Sequence, residues 1–466
     1  MIGRRGLAAC LGAEVLAGVC GFAATMHVAR RLGPSGLASL EVAAGVAGWV
    51  LVLVRGGPDQ IVVREAARYP RLVSPLTDLL IGLRCLWGLV GLAILWGVAS
   101  WMGVDHSGAT IAAGMVLIPS AFVADVGPRA RIESGFLASL QVLRAIAVTI
   151  AVVLLVAKPD DLLRAAIAPA IGESMVAVAC LVRARRDGTQ PRPRFRRRAS
   201  LVLSRRAAVA GLTRFLRVGL YAADAIALGL VAGAGVGTYA AGRRLTFALV
   251  AVGVVVPSLL APGLTRAWRR GRDEAGSEIG RGVSILLSLF VPAAMGLILT
   301  AETSLPWLFG PDYRDGASRL VPIAARLPVV LLAAWYQSGL VAIGREVHAM
   351  VATLFIAGIA AIALPVAAIG GGVVGLGWTM FGVEAIAAAT SYLLLRRTGI
   401  DPGRVVGLGP IALGCLAMVL AVSATRAGTF PINCLAGAVA YVAAWSIASP
   451  LIPIRARRLA WGERSR

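Results

Sequence analysis

Fourteen apolar runs, each long enough to cross a bilayer, follow one another along this 466-residue chain. A membrane-spanning helix needs about 20 mostly apolar residues. The runs lie near 7–29, 37–54, 79–101, 108–126, 137–157, 165–182, 207–232, 236–260, 283–303, 319–343, 349–369, 372–395, 404–425 and 432–452. Lipid leaves no solvent for a bare backbone, so only helices and closed barrels cross it, and barrel strands alternate over about ten residues. No such alternation is visible, and the expected fold is an all-α polytopic membrane protein. Composition agrees: 58% of residues are hydrophobic and 15% charged, against roughly 25% charged in soluble domains. The first run is longer than the ~7–15 apolar residues of a signal-peptide core, so it is expected to stay as the first span.

Charge tests the ladder independently. Lys and Arg number 46 against 23 acids, and Lys158 is the only lysine. In a soluble protein a net +23 would point to nucleic acid; here the question is which side of the membrane the arginines occupy. With the amino terminus in the cytoplasm, 32 bases fall in inside segments and 7 in outside ones (Arg30, Arg31, Lys158, Arg164, Arg314, Arg319, Arg426). One missed span would invert every later loop and destroy that bias. Both termini are therefore expected inside, and no nucleic-acid partner is implied. The six cysteines are scattered without a C-x-x-C pair and read as inert packing residues, giving neither a metal site nor a cofactor site.

The largest break is 183–206, whose basic, proline-bearing core Arg192–Arg198 is not expected to be helical. It divides the chain into a six-helix lobe (1–182), a basic, solvated cytoplasmic linker (183–206), a second six-helix lobe (207–395), and two extra spans with a basic tail (396–466). An offset of 199 residues sets Leu32-Gly-Pro-Ser-Gly-Leu-Ala-Ser-Leu40 over Val231-Ala-Gly-Ala-Gly-Val-Gly-Thr-Tyr239. Each is a small-residue turn between the first two helices of its half, so the lobes read as a parallel pseudo-repeat.

At these residues the chain resembles the polysaccharide (O-antigen type) flippases of the multidrug/oligosaccharidyl-lipid/polysaccharide exporter superfamily. The matching segments are Ala29-Arg-Arg-Leu-Gly-Pro34, Gly56-Gly-Pro-Asp-Gln-Ile-Val-Val-Arg-Glu65, Gly235-Val-Gly-Thr-Tyr-Ala-Ala-Gly-Arg-Arg244 with Pro257, Leu308-Phe-Gly-Pro-Asp-Tyr313, Gly339-Leu-Val-Ala-Ile-Gly-Arg345, and Leu364-Pro365 with Gly371, Gly372 and Gly375. They run in family order over roughly residues 5–400. The chain departs from the pattern at Leu37 and Ala38, where the family has an aromatic and a glycine. The resemblance implies a transporter whose substrate is a polyprenyl-(pyro)phosphate sugar, with membrane lipids and glycan-assembly enzymes as partners.

Seven arginines fall inside spans: Arg84, Arg144, Arg214, Arg217, Arg243, Arg244 and Arg326. Each costs about 2.5–3.5 kcal/mol at a helix centre on insertion scales, so a lipid-facing position there is disfavoured. Arg84 and Arg326 read as span-end residues that snorkel to headgroups. Arg214 and Arg217 share a helix face at i, i+3 with Asp224 two turns on. A cavity lined by guanidinium groups suits a phosphate, which planar forks bind bidentately. Arg30, Arg144, Arg214, Arg217, Arg243 and Arg244 are therefore the candidate headgroup-binding residues. Glu14, Glu41, Asp125 and Asp224 are the candidates for pairing or ion coupling; Glu173 and Glu384 also lie in spans. His27 reads as interfacial. The competing classes are a multidrug exporter of the same superfamily, expected to have twelve spans, a glycan-handling membrane enzyme, disfavoured by short outer loops poor in acids, and a scaffold of glycan assembly.

Overall fold

The computed structural model describes residues 4–101, 104–231, 235–401, 407–425 and 428–448. Arg404, Arg426, the small residues at 232–234 and the tail from 449 onward lie outside the described residues. Among those described no strand occurs, and sixteen α-helices are spread over the fourteen apolar runs. Among the described residues eight helical stretches are long and apolar enough to cross a membrane, two of them 57 and 52 residues long.

Those two contain paired spans. α1 (Arg4–Arg55) has 52 residues, about 78 Å if straight, more than twice the ~30 Å hydrocarbon core. It breaks at Gly33, where φ is 70° and ψ −175°, directly before Pro34. A left-handed φ costs an L side chain about 1–2 kcal/mol, and proline removes the next amide donor. Gly372 (φ 58°, ψ −150°) does the same in α14 (Glu346–Arg397). A Cβ at Gly375 would lie 3.1 Å from the Ala367 carbonyl, eight residues back. A continuous helix separates such residues by about 12 Å, so the chain doubles back there. The first span pair and the eleventh–twelfth pair are thus hairpins closed by single glycines.

Contacts divide the chain into two units, 1–232 and 233–466. The first holds α1, α2 (Gly57–Arg68), α3 (Val73–Trp101), α4 (Val104–Gly114), α5 (Leu117–Ala121), α6 (Val126–Ala130), α7 (Ser134–Leu155), α8 (Leu162–Arg186) and α9 (Arg197–Leu228). α9, assigned from sequence to the start of the second lobe, packs on α1 and α2 in this unit. The fourth span is broken into α4, α5 and α6, with non-helical residues at 122–125.

The connections between spans gather at two ends of this unit. His27 Nε2 hydrogen-bonds the Val156 carbonyl at 2.9 Å, joining the Gly33 end to the α7–α8 connection. At the other end Arg131 pairs with Asp187, and the amides of Arg192 and Arg194 donate to Asp78 Oδ1 (2.9 Å) and the Asp78 carbonyl (3.1 Å). Residues 127–136 and 183–206 therefore lie beside the start of α3. The non-helical stretch is shorter than the sequence suggests, 187–196, and it is not a free loop. It straps across α3 where a Cβ on Gly82 would meet the Arg194 carbonyl at 2.5 Å.

The second unit holds α10 (Val236–Arg270), α11 (Arg272–Leu299), α12 (Ala301–Phe309), α13 (Ala317–Ala342), α14, α15 (Leu408–Ala424) and α16 (Phe430–Ala448). The stretch expected as the longest outer loop, 302–318, is folded: α12 and a 3-10 turn at Pro311–Gly316 bury Leu305, Phe309 and Tyr313. Trp335 Nε1 donates to the Ile279 carbonyl (3.0 Å), fixing α13 on α11. The Tyr441 hydroxyl donates to the Ser288 carbonyl (2.7 Å), tying α16 to α11.

Candidate functional site

A buried ion network forms in the first unit where two helices break. Gly56 separates α1 from α2, and Gly57 and Pro58 open the first turn of α2, a position that suits proline because first-turn amides have no helical acceptor. Asp59 then stands in the first turn, where the helix dipole favours a carboxylate. The break after α5 leaves the Val123 carbonyl without a helical donor, and Asp125 precedes α6. Arg84 on α3 reaches both. Its Nε and Nη2 donate to Asp59 Oδ1 and Oδ2 at 3.2 and 2.6 Å. Its Nη1 donates to the Val123 carbonyl at 2.6 Å, and Nη2 lies 3.6 Å from Asp125 Oδ1.

The network continues outward. Arg55 donates to Glu173 Oε1 at 2.6 Å and to Asp125 Oδ2 at 3.4 Å. Arg129 approaches Asp125 at 3.5 Å and Asp59 at 3.7 Å, and Arg144 Nη1 lies 3.6 Å from Glu173 Oε2. Asp59, Asp125 and Glu173 are 2%, 6% and 3% exposed and Arg84 is 1% exposed, while Arg55, Arg129 and Arg144 keep part of their side chains accessible. Arg214 lies within electrostatic range of Asp59, Arg55 and Arg129. Four arginines thus face three carboxylates, with a fifth close by.

Of the predicted headgroup residues, Arg144 and Arg214 belong to this region, and so does Asp125. Arg30 is exposed beside the Gly33 turn, at the far end of the second arm of α1 from Arg55. Arg217 is half-buried, and its Nε has no hydrogen-bond acceptor among the described residues. Arg243 is buried with its guanidinium 4.4 Å from the Phe247 ring centroid; Arg326 lies 5.6 Å from the same ring. Arg244 is partly buried. Glu14 is exposed and accepts a hydrogen bond from Gln141, Glu41 is fully buried, and buried Asp224 accepts the Ala225 amide at 2.9 Å. Arg84 and Arg326 correct the sequence expectation: neither snorkels, since both are enclosed by protein. Asp59, Arg55 and Arg129 were missed as site residues because the two arginines count as loop bases in a linear ladder. The Gly-Gly-Pro-Asp run was the signal available for Asp59.

Backbone proximity holds the site. A Cβ on Gly57 would lie 2.6 Å from the Ala207 carbonyl and 2.9 Å from Gly211 Cα, both main-chain atoms of α9 that cannot rotate away. Gly57→Ala is expected to push α2 off α9, cost about 1–3 kcal/mol as overpacking does, and lower the unfolding midpoint. Gly48→Ala, where an added Cβ meets nothing within 4 Å, is the control, and equal midpoints would refute the close contact.

No protein-family profile matches the chain, and no curated protein sequence matches it. Solved structures do. A lipid II flippase, MurJ, in an inward closed conformation superposes with a TM-score of 0.72 at 13% identity, over 96% of this chain and 99% of that one. An inward-facing multidrug resistance MATE transporter of the MOP superfamily matches with a TM-score of 0.63 at 14% identity, over 83% and 94%. The MATE transporter VcmN of Vibrio cholerae matches at 0.57 and 15%, over 85% and 97%. The chain therefore has the polytopic all-α fold of these membrane transporters. Its structural neighbours are membrane transporters, a flippase among them.

Proposed function

We propose that the protein moves a polyprenyl-(pyro)phosphate-linked oligosaccharide from the cytoplasmic to the outer leaflet by alternating access, in cell-surface polysaccharide biosynthesis. The observation that carries this is the guanidinium surplus of the first unit, with Arg144 half-exposed midway along its span. A half-exposed arginine at that depth faces water rather than lipid, and such a group binds phosphate oxygens. Arg30, Arg214, Arg217, Arg243 and Arg244 complete the proposed headgroup set, and Asp125, Asp224, Glu14 and Glu41 the pairing set. The proposed moving bodies are the two six-helix lobes. With both termini in the cytoplasm, an inside-negative potential favours outward transfer of the anionic headgroup by about 2.3 kcal/mol per charge per 100 mV. Enzymes that build the lipid-linked sugar on the inner leaflet are the partners this implies.

The second reading is multidrug export, favoured by the likeness to MATE transporters. Those structures leave about a sixth of this chain unmatched, whereas the flippase leaves 4%. That share suits the two spans beyond the twelve of a drug exporter and supports the flippase reading. The test is headgroup movement in liposomes carrying a fluorescent polyprenyl-pyrophosphate sugar, with wild-type protein, Arg217→Ala and Arg243→Ala. Protein-dependent movement that falls at least tenfold in either variant is expected. No movement of any lipid sugar, together with export of a cationic dye, would establish the drug-exporter class instead.

A further inference from the structure

At the end of the first unit where the 127–136 and 183–206 connections meet α3, a cleft of about 390 Å³ opens between the α2–α3 connection, α6 and the strap. Three arginines line it, Arg71, Arg131 and Arg183, with the hydroxyls of Ser74 and Thr77 and one carboxylate, Asp187. Arg131 donates to Asp187 and to Glu133 (2.7 Å), and Arg183 donates to Glu133 (3.2 Å) and lies 3.5 Å from Asp187. Two carboxylates are therefore shared by two guanidinium groups, each with five donors. Arg71 has no carboxylate partner among the described residues. The cleft has donors and positive charge in excess, which calls for an anion.

The residues beside its arginines say which kind. Tyr69, Leu72 and Ile132, each next in sequence to a lining residue, are exposed apolar side chains, and each follows an arginine: Arg68, Arg71 and Arg131. Ile132 is held at φ 56°, a left-handed conformation that a β-branched residue adopts only when its surroundings impose it. Here the Glu133 amide donates to the Pro128 carbonyl (2.9 Å) and the Ser134 amide to the Ile132 carbonyl (2.8 Å), pinning the turn. Guanidinium groups alternating with apolar and aromatic side chains are the pattern of a surface lying at lipid headgroup depth. A soluble phosphate would use the arginines and leave these apolar side chains idle.

We infer that this cleft is a binding site for the phosphate of an anionic phospholipid of the leaflet it faces, with the lipid's acyl chains against the exposed Leu72 and Ile132 that flank its arginines. The arginine bias makes that leaflet the cytoplasmic one. The inference does not depend on which substrate the protein carries. α6 has the cleft residue Arg131 at one end and the network residue Asp125 at the other, so lipid occupancy and the buried network share one short helix.

The test is lipid retention by delipidated protein in detergent, read by native mass spectrometry during titration with phosphatidylglycerol or phosphatidylcholine. Wild type is expected to retain phosphatidylglycerol at least tenfold better than phosphatidylcholine. Arg71→Gln is expected to weaken that retention about fivefold, the ~1 kcal/mol of one basic side chain near an anionic surface. Ile132→Ser is expected to weaken it too, and Arg314→Gln, an exposed base of the second unit, to leave it unchanged. Equal retention in wild type, Arg71→Gln and Arg314→Gln would overturn the site. Displacement of the lipid by millimolar inorganic phosphate, with Ile132→Ser behaving as wild type, would make the ligand a soluble anion and overturn the lipid assignment. Unfolding midpoints of the variants within a degree or two of wild type keep either outcome interpretable.

Discussion

Arg84→Met is expected to destabilise the first unit by about 3–5 kcal/mol, the cost of stripping one partner from a buried ion pair. Arg84 makes both of its Asp59 contacts, the Val123 carbonyl bond and the closest approach to Asp125 Oδ1. Methionine fills similar volume but leaves two carboxylates, both nearly inaccessible to water, facing an apolar group. Arg129 is the next cation available to Asp59, and at 3.7 Å it is partly exposed and already divided with Asp125. The unfolding midpoint should fall by on the order of 10 °C, using about 2–4 °C per kcal/mol for a unit of this size. Arg84→Met/Asp59→Leu should recover most of the loss, because the uncompensated charge is then gone. A double variant no more stable than the single one would mean that Asp59 is stabilised without Arg84, and the network account would fail.

Arg84 also marks where a linear sequence stops being informative. The apolar run suggests a third span from 79, which places Arg84 about 8 Å from the span's start, within reach of headgroups. α3 begins at Val73, six residues earlier, so Arg84 stands about 16 Å along the helix. Snorkelling from there is no longer open to it. A boundary error of under two turns thus turns a buried network centre into an interfacial residue. Arg55 and Arg129 fail for a related reason. A positive-inside count assigns them by position in the chain, and both do stand at span ends, but their side chains turn inward to Asp125 and Glu173. Hydropathy gives the number of spans because desolvating a backbone costs the same wherever it happens. Which charged side chain meets which depends on helices far apart in sequence, such as α2 against α9 across Gly57 and Gly211. The hairpins were half legible: Gly-Pro at 33–34 and the glycine run at 370–372 announce turns, while the left-handed φ that makes one residue sufficient appears only in the backbone.

Arg144→Gln is expected to leave stability nearly unchanged and to slow headgroup movement about 10–100-fold. Arg144 is the eleventh of the 22 residues of α7, about 15 Å from its start, and its side chain is 48% exposed. Its contact with Glu173 is loose at 3.6 Å, and Glu173 already accepts a bond from Arg55 at 2.6 Å. A half-exposed pair of this kind contributes under about 1 kcal/mol, so the midpoint should move by no more than a few degrees. The same exposure leaves the guanidinium free to meet a phosphate. A hydrogen bond to a charged group is worth about 1.5–3 kcal/mol, and 1.4 kcal/mol is a factor of ten, which sets the expected loss. Arg144→Lys keeps the charge without the planar fork and should fall between glutamine and wild type. Arg164→Gln, at an exposed base paired with Asp161 at 2.8 Å outside the network, should translocate normally. Wild-type rates in Arg144→Gln would take this residue off the substrate's path. A midpoint that fell as far as that of Arg84→Met would show that the network needs Arg144 for its own cohesion, and the separation of a buried structural pair from an exposed binding arginine would collapse.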